Sequence, residues 1–382
     1  MRTVFIAGAG LIPVGEHWDH SLRELALDAV EAAQTDAARQ GADGFRPEAL
    51  FVGNMLASEL SHQAHLGALI ADFAGMRGIE AATMEAAGAS GGAALRQAVL
   101  AVGSGMVETA LVVGVEKMTD KVGAAVPAAA ATAADSDWES AQGVTPTALA
   151  ALIMRRYMHE HTVALKDFAG FSVNAHANAK TNANAMFRNA ITADAYVKAG
   201  MVSDPINVFD SAPDADGAAA LIVTATPTRV RIAASTMATD ALAVHDRPDL
   251  LTFEAARLSA AKAYPLAGIG PDDVDLFELH DAFTVFAALS LEAAGFAERG
   301  QGWRLAGGEI APTGRIPIST FGGLKARGNP GGATGVYQAA EVILQLRGEA
   351  GPNQVKDARW GMAQCLGGAG ATAVTHIFER TG

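Results

Sequence analysis

The chain has 382 residues, half of them apolar, with 41 glycines, one cysteine and a formal net charge of −13. That length buries a large core and is long for one compact domain, so two core layers or two related halves are expected. The acidic balance excludes a general nucleic-acid binder, which needs a basic footprint. One cysteine excludes an intrachain disulfide, and no Cys/His cluster has metal-ligand spacing, so no metal site is expected.

The N-terminus runs directly into Thr3-Val-Phe-Ile-Ala-Gly8 with no readable secretory signal. No apolar run reaches the roughly 18–20 residues of a membrane span. The expected location is a cytoplasmic, reducing compartment.

In chain order, the first strand ends in Gly8-Ala-Gly10-Leu-Ile-Pro13. Proline stands where a dinucleotide fingerprint needs its third glycine, which argues against a Rossmann site. Ser21-Leu-Arg-Glu24 has the form of a capping box, and Leu22, Leu25, Ala26, Ala29, Val30 and Ala33 fall on one face of the helix it opens. Ala93–Val102 has only Arg96 and Gln97 as polar residues, which predicts a helix buried on most sides. Ala110–Gly114 reads as a buried strand.

From about Thr119 to Gly200 the pattern changes to alanine-rich loops and polar helices, as in an insertion. Ala148–His161 has helical spacing, while residues 122–137 also read as a flexible linker. Strand Ala218–Thr224 closes a first half, residues 1–225. A second half, residues 226–382, carries strands Val230–Ala234, Val274–Leu279, Trp360–Ala363 and Ala371–Phe378, with a helix at Ala282–Ala294. Strand and helix alternate in both halves, the pattern of an α/β fold.

Five motifs stand in this frame: Glu85-Ala-Ala-Gly88-Ala-Ser-Gly-Gly92, Val115-Glu-Lys-Met118, His280-Asp-Ala-Phe283, the glycine-rich run Gly322–Gly335, and Cys365-Leu-Gly-Gly368. In that order and rough spacing they resemble the thiolase superfamily, most closely the archaeal-type and sterol-carrier-type thiolases, whose third active-site loop reads HDAF. The likeness runs from Val4 to Phe378. It implies a thiolase fold: a duplicated, five-layered α/β/α/β/α core with a loop domain inserted at about 119–200. It also implies a coenzyme A thioester as substrate with no covalently bound cofactor, a homodimer, and, as in the archaeal type, a small OB-fold, zinc-ribbon partner protein.

Two chemical positions depart from the family. Gly88 stands where the nucleophilic cysteine belongs, so no acyl-enzyme forms there. Asn329 stands where a GHP histidine belongs; an amide donates a hydrogen bond but cannot take the thiol's proton. The resemblance makes the backbone N–H groups of Gly88 and Gly367 donors of one oxyanion hole, His280 an oxyanion donor or general acid/base, and Cys365 the α-proton base. The His280–Asn329 pair is similar to the His/Asn pair of initiating ketoacyl synthases and HMG-CoA synthases, which polarise a thioester carbonyl.

Each residue has a plainer alternative: a tight turn at Gly88, a structural histidine at 280, an inert buried thiol at 365. Residues 151–200 carry six Lys/Arg against three Asp/Glu. Arg155, Arg156, Lys180 and Arg188 are therefore candidates for the coenzyme A phosphates, or else part of a solvated helical surface. Three functions are compatible with these residues: aldol-type or decarboxylative C–C chemistry beside a thioester without an acyl-enzyme at 88, ordinary β-ketothiolase acyl transfer through Cys365, or a silent acyl-CoA-binding subunit.

Overall fold

The structure is a computed structural model that describes residues 2–42 and 44–382. The first half builds strand β1 (Val4–Leu11), helix α1 (Leu22–Arg39), β2 (Ala49–Gly53), the short α2 (Ala57–Leu60), α3 (Leu66–Phe73), β3 (Glu80–Met84), α4 (Ser90–Ser104) and β4 (Thr109–Glu116). The predicted capping box opens α1, with the Ser21 hydroxyl accepting from the Glu24 N–H and the Glu24 carboxylate from the Ser21 N–H.

An excursion then carries α5 (Ala125–Ala130), α6 (Pro146–His161), α7 (Ala169–Ala179), α8 (Ala193–Val197) and the hairpin β5–β6 (Met201–Ser203, Ile206–Asn207) before β7 (Gly217–Thr224) returns to the core. The second half follows as β8 (Val230–Thr239), α9 (Glu254–Ala267), β9 (Leu276–Glu278), α10 (Thr284–Ala293), α11 (Thr334–Arg347), β10 (Trp360–Gly367) and β11 (Thr372–Arg380).

The strands form one run in the order β3-β2-β4-β7-β1-β8-β11-β10-β9. Its pairing repeats. β2–β4 is parallel, β4–β7 antiparallel and β7–β1 antiparallel; β9–β10 is parallel, β10–β11 antiparallel and β11–β8 antiparallel. Within the strand run the two halves join where Val4 and Phe5 pair with Ile232 and Arg231. The duplication that no sequence repeat reveals is therefore visible in the topology.

Five layers follow from the alternation of side chains along the strands. On β7, Ala218, Ala220 and Ile222 pack with α1 and α3, while Ala219, Leu221 and Val223 face α4 and α11. On the other side of α4 and α11 lies the second half-sheet, with α9 and α10 over its outer face. Helix α11 is buried at every position except Leu344, so its polar residues need internal partners. Gln345 takes the Val355 N–H and donates to the Asn353 carbonyl; Glu341 faces Arg327.

Three local expectations change. Residues 122–137 are not a bare linker: α5 buries Val126 and Ala129 against Leu56, Leu60 and Met118. Strand β9 is shorter than Val274–Leu279. Strands β2 and β3 lacked a sequence signal; Glu80-Ala-Ala-Thr-Met84 has weak β propensity and is held by parallel pairing to β2 at one edge of the sheet.

Candidate active site

Several chain segments meet around a cavity of about 430 Å³ whose lining includes Met55, Gly88, Met118, Asp214, His280, Phe283, Asn329, Leu366 and Gly368. Gly88, His280 and Asn329 are thus brought together from 241 residues of chain, whereas Cys365 and Gly367 do not line the cavity.

The first segment is the turn between β3 and α4. Ala87 sits at φ 50°, an uncommon left-handed conformation for a residue with a Cβ. Three bonds hold it: Ala87 N–H to Glu85 Oε1 (2.6 Å), Ala86 N–H to Ser90 Oγ (2.9 Å), and the Ser90 hydroxyl to the Ala87 carbonyl (2.6 Å). The N–H of Gly88 has no partner among the described residues and stands at the start of α4, where a developing negative charge is favoured. Glycine is needed here for space. A Cβ at 88 would lie 2.7 Å from the Leu366 carbonyl oxygen and 3.0 Å from His280 Cε1.

His280 follows β9 and is 5% exposed. Burial, with the Arg327 charge adding to it, lowers its pKa to about 3, so the ring is neutral at physiological pH. Its Nδ1 is buried without a hydrogen-bond partner. The next residue, Asp281, accepts from the Leu324 N–H (2.7 Å) and the Ser319 hydroxyl (3.0 Å). Gly323, at φ 54°, passes so close that a Cβ would collide with that carboxylate. The HDAF and glycine-rich motifs are therefore two sides of one hydrogen-bonded unit.

Asn329 is fixed through its backbone: its N–H donates to Pro213 O (3.0 Å), and its carbonyl accepts from Ala215 N–H (3.3 Å). Oδ1 accepts from the Thr334 hydroxyl at 3.2 Å. In this amide orientation Nδ2 is the group's remaining donor, and Asn329 lines the cavity.

Sequence reasoning missed Asp214. The segment Asp210–Gly217 contains three aspartates with nothing to rank them. Asp210 is consumed by Tyr196, Thr284 and Asn207, and Asp216 by Lys117, Met118, Thr119 and His17. The Asp214 side chain is solvent-exposed and has no protein hydrogen-bond partner among the described residues; desolvation by the surrounding protein raises its pKa. Among the described residues, Asp214 and His280 are the only titratable side chains that line the cavity.

Glu116, of the Val115-Glu-Lys-Met118 motif, was also without an assigned role. Its buried carboxylate accepts from Asn54 Nδ2 (2.8 Å), Met55 N–H (2.9 Å), Leu56 N–H (3.1 Å) and Gly332 N–H (2.9 Å), tying two cavity walls together. Burial outweighs these bonds and raises its pKa to about 7.

Cys365 is placed otherwise than a base requires. Alternation along β10 turns Met362 and Leu366 to the α9/α10 side and Cys365 toward α4 and α11. A Cβ on Gly92 would collide with Sγ, and one on Gly335 would stand 3.0 Å from it. Burial pushes the thiol up to about 12. Gly367 serves close approach: a Cβ there would strike the Ala86 carbonyl. Of the basic candidates, Arg155 pairs with Asp204 and Arg156 with Glu160, while Lys180 and Arg188 are exposed; none lines the cavity.

Paired half-sheets around two buried helices, with a glycine turn, a histidine loop and an asparagine loop converging at one cavity, define an acyl-CoA enzyme architecture. The sequence matches Thiolase, N-terminal domain, over residues 4–226 and Thiolase C-terminal domain-like over residues 236–380. It is 43% identical over 388 residues to acetyl-CoA acetyltransferase of Methanothermobacter thermautotrophicus, covering 100% of both chains. It is 33% identical over 234 residues to sterol carrier protein 2 of Rattus norvegicus, covering 58% of this chain and 43% of that protein. The solved Ltp2-ChsH2(DUF35) aldolase superposes with a TM-score of 0.82 at 24% identity, covering 99% of this chain and 98% of that one. The chain belongs to the thiolase superfamily, whose substrates are coenzyme A thioesters.

Proposed function

We propose that this protein makes or breaks a carbon–carbon bond beside a coenzyme A thioester without an acyl-enzyme at residue 88. The observation that carries this reading is the composition of the cavity wall: hydrogen-bond donors and one carboxylate, but no thiol. The Gly88 N–H, His280 Nε2 and Asn329 Nδ2 are donors suited to an enolate oxygen. Asp214 is the group available to move a proton.

In the retro-aldol direction the Asp214 carboxylate takes the proton of a β-hydroxyl, the Cα–Cβ bond breaks, and a carbonyl product forms. The electron pair passes to the thioester enolate, held by the donors. Asp214 then returns the proton to Cα and leaves an acyl-CoA. Each step balances within substrate and protein, and Gly88 is compatible with all of them.

The acetyl-CoA acetyltransferase relative supports a second reading, acyl transfer. That chemistry needs a thiolate, and Cys365 is buried, away from the cavity and un-ionised. A silent acyl-CoA-binding subunit is the third reading. β3, unpaired on its outer side and largely exposed, is suited to a homodimer edge. The structural neighbour solved with a DUF35 protein supports a small partner subunit. Among the described residues no helix is long and apolar enough to cross a membrane, which is compatible with a cytoplasmic location.

The test is a screen of β-hydroxyacyl, β-ketoacyl and malonyl-type CoA thioesters with product analysis and intact-protein mass. Cleavage with no mass change on the protein is expected. A covalent acyl adduct on Cys365 sinks the reading in favour of acyl transfer, and binding without turnover favours the silent subunit.

A further inference from the structure

A second cavity of about 490 Å³ adjoins the first, and Val202, Ser211, Ala212 and Asp214 line both. Apart from the shared Asp214, nothing in the chemistry above uses it. Phe187, Ile191, Val202 and Val208 give it apolar lining, while His176, Asp214 and Lys325 supply polar atoms.

His176 lies between two rings: Phe187 is stacked on it at 6.2 Å and 11°, and Phe209 meets it edge-on at 5.7 Å. Its Nδ1 lies 3.1 Å from the Asn189 carbonyl. A carbonyl only accepts, so Nδ1 carries the proton; the ring is neutral because burial lowers its pKa. Nε2 is then a lone-pair acceptor, and it has no partner among the described residues. An acceptor facing an aromatic-walled cavity calls for a donor on an apolar body.

We infer that the second cavity binds a substituent of the acyl group: an apolar ring or branched hydrocarbon carrying a hydroxyl that donates to His176 Nε2. This deepens, and rests on, the reading of the first cavity as a coenzyme A thioester site. The location favours the acyl group over the nucleotide. The shared wall includes Asp214, and its backbone pairs with that of Asn329, so a group attached close to the reacting carbon reaches the cavity, whereas the adenine lies at the far end of the pantetheine arm. A carboxylate in place of the hydroxyl would face the Asp214 carboxyl and find no donor at Nε2; the one cation in the lining, Lys325, already donates to the Asp210 carbonyl.

The experiment is calorimetric binding of three non-cleavable thioether analogues of coenzyme A, carrying an acetonyl group, a cyclohexyl ketone, or the same ketone with a ring hydroxyl. Binding, not turnover, is read. Wild type should bind the hydroxylated ring at least tenfold more tightly than the acetonyl probe. Val208→Trp, which fills part of the second cavity alone, should weaken both ring probes at least tenfold and leave the acetonyl probe unchanged. His176→Phe keeps the ring stack and should reduce only the hydroxylated probe, to the level of the plain ring.

If the acetonyl probe binds but the ring probes bind no more tightly, the inference falls and the thioester reading stands. Equal weakening of all three probes by Val208→Trp puts the nucleotide there and also overturns it. If none of the three binds wild type, the thioester reading itself fails and takes the inference with it.

Discussion

Gly88 and His280 are immediate neighbours across the cavity: a Cβ at 88 would stand 3.0 Å from Cε1 and 3.5 Å from Nε2 of the imidazole. The ring occupies the space into which a side chain at 88 would grow. Two donors, the Gly88 N–H and the His280 Nε2, therefore bound the same small volume, and the glycine keeps it open.

Gly88→Ala tests that volume. The added methyl meets the Leu366 carbonyl at 2.7 Å as well as the imidazole, so the β10 end or the turn must shift. The expected cost is about 1–3 kcal/mol of stability, as for overpacking elsewhere. Turnover of the identified thioester should fall at least tenfold more than this loss explains, measured at a temperature where the variant is fully folded. Unchanged kcat/KM would show that no reacting atom sits beside residue 88.

The fold was legible because it is written in separated motifs, and His280, Asn329 and Gly88 because each lies in one. What was not legible has physical causes. The identity of Asp214 depends on Asp210 and Asp216 being consumed by partners up to 199 residues distant. The motif points to Cys365 as a base, whereas the period-two alternation of Met362 and Leu366 against Cys365, also present in the sequence, directs its side chain away from the cavity lining. β3 was invisible since its Glu-Ala-Ala-Thr-Met run is held by its neighbour, not by its own propensity.

The pH profile separates the two titratable wall residues. His280, held to about 3, stays neutral across pH 5–9 and contributes no limb near its ordinary value of 6.5. Asp214, solvent-exposed but desolvated by the surrounding protein so that its pKa lies above 3.8, must be ionised to act as base, so kcat/KM should fall toward acid with a limb above that ordinary value. Asp214→Asn should remove the limb and lower kcat by about 10²–10⁴ with little change in KM. A limb near 6.5 that disappears in His280→Gln would assign the base to the histidine instead.

Stability should decline between pH 6.5 and 8.5. Burial, reinforced by a neighbouring carboxyl, raises the pKa of both Glu278 and Glu341 above 4.5. The native chain then keeps protons that the unfolded chain has released, so their contribution is complete below 4.5 and is lost as pH rises through the raised values. His280 and His376, lowered to about 3 and about 4, act oppositely but only below 6.5, where the unfolded chain takes up their protons. Above 6.5 the raised carboxyls, Glu116 among them, set the slope until Lys325, lowered to about 8, begins to oppose them. Glu278→Gln, which keeps the acceptor for the Thr320 N–H and hydroxyl, should flatten the fall of Tm with pH. An identical slope in the variant would mean that Glu278 is ionised in the native state.

Cys365→Ala should be nearly silent for catalysis. The thiol packs among Gly92, Gly335 and Val374, so its removal leaves a small cavity worth about 1 kcal/mol and touches no reacting atom. Native wild type should also resist thiol alkylation that proceeds readily in denaturant. A loss of activity well beyond the stability change, or fast labelling of the folded protein, would return Cys365 to the mechanism.

Restoring the family's nucleophile separates the two substitutions. Gly88→Cys places a thiol beside a neutral His280, but with Asn329 in place of the histidine no group generates the thiolate; an unassisted cysteine, pKa about 8.5, is only a few per cent ionised at pH 7. Its Cβ must also displace the Leu366 carbonyl. Acetyl transfer from acetyl-CoA, followed by intact mass over time, should be slow in this variant and absent in Asn329→His. In the double variant it should exceed the sum of the two by at least tenfold, the non-additivity of residues acting as a unit. Rapid acylation of Gly88→Cys alone would mean that His280 suffices to activate a thiol, and that this chain differs from an acyl-transferring thiolase by its missing sulfur only.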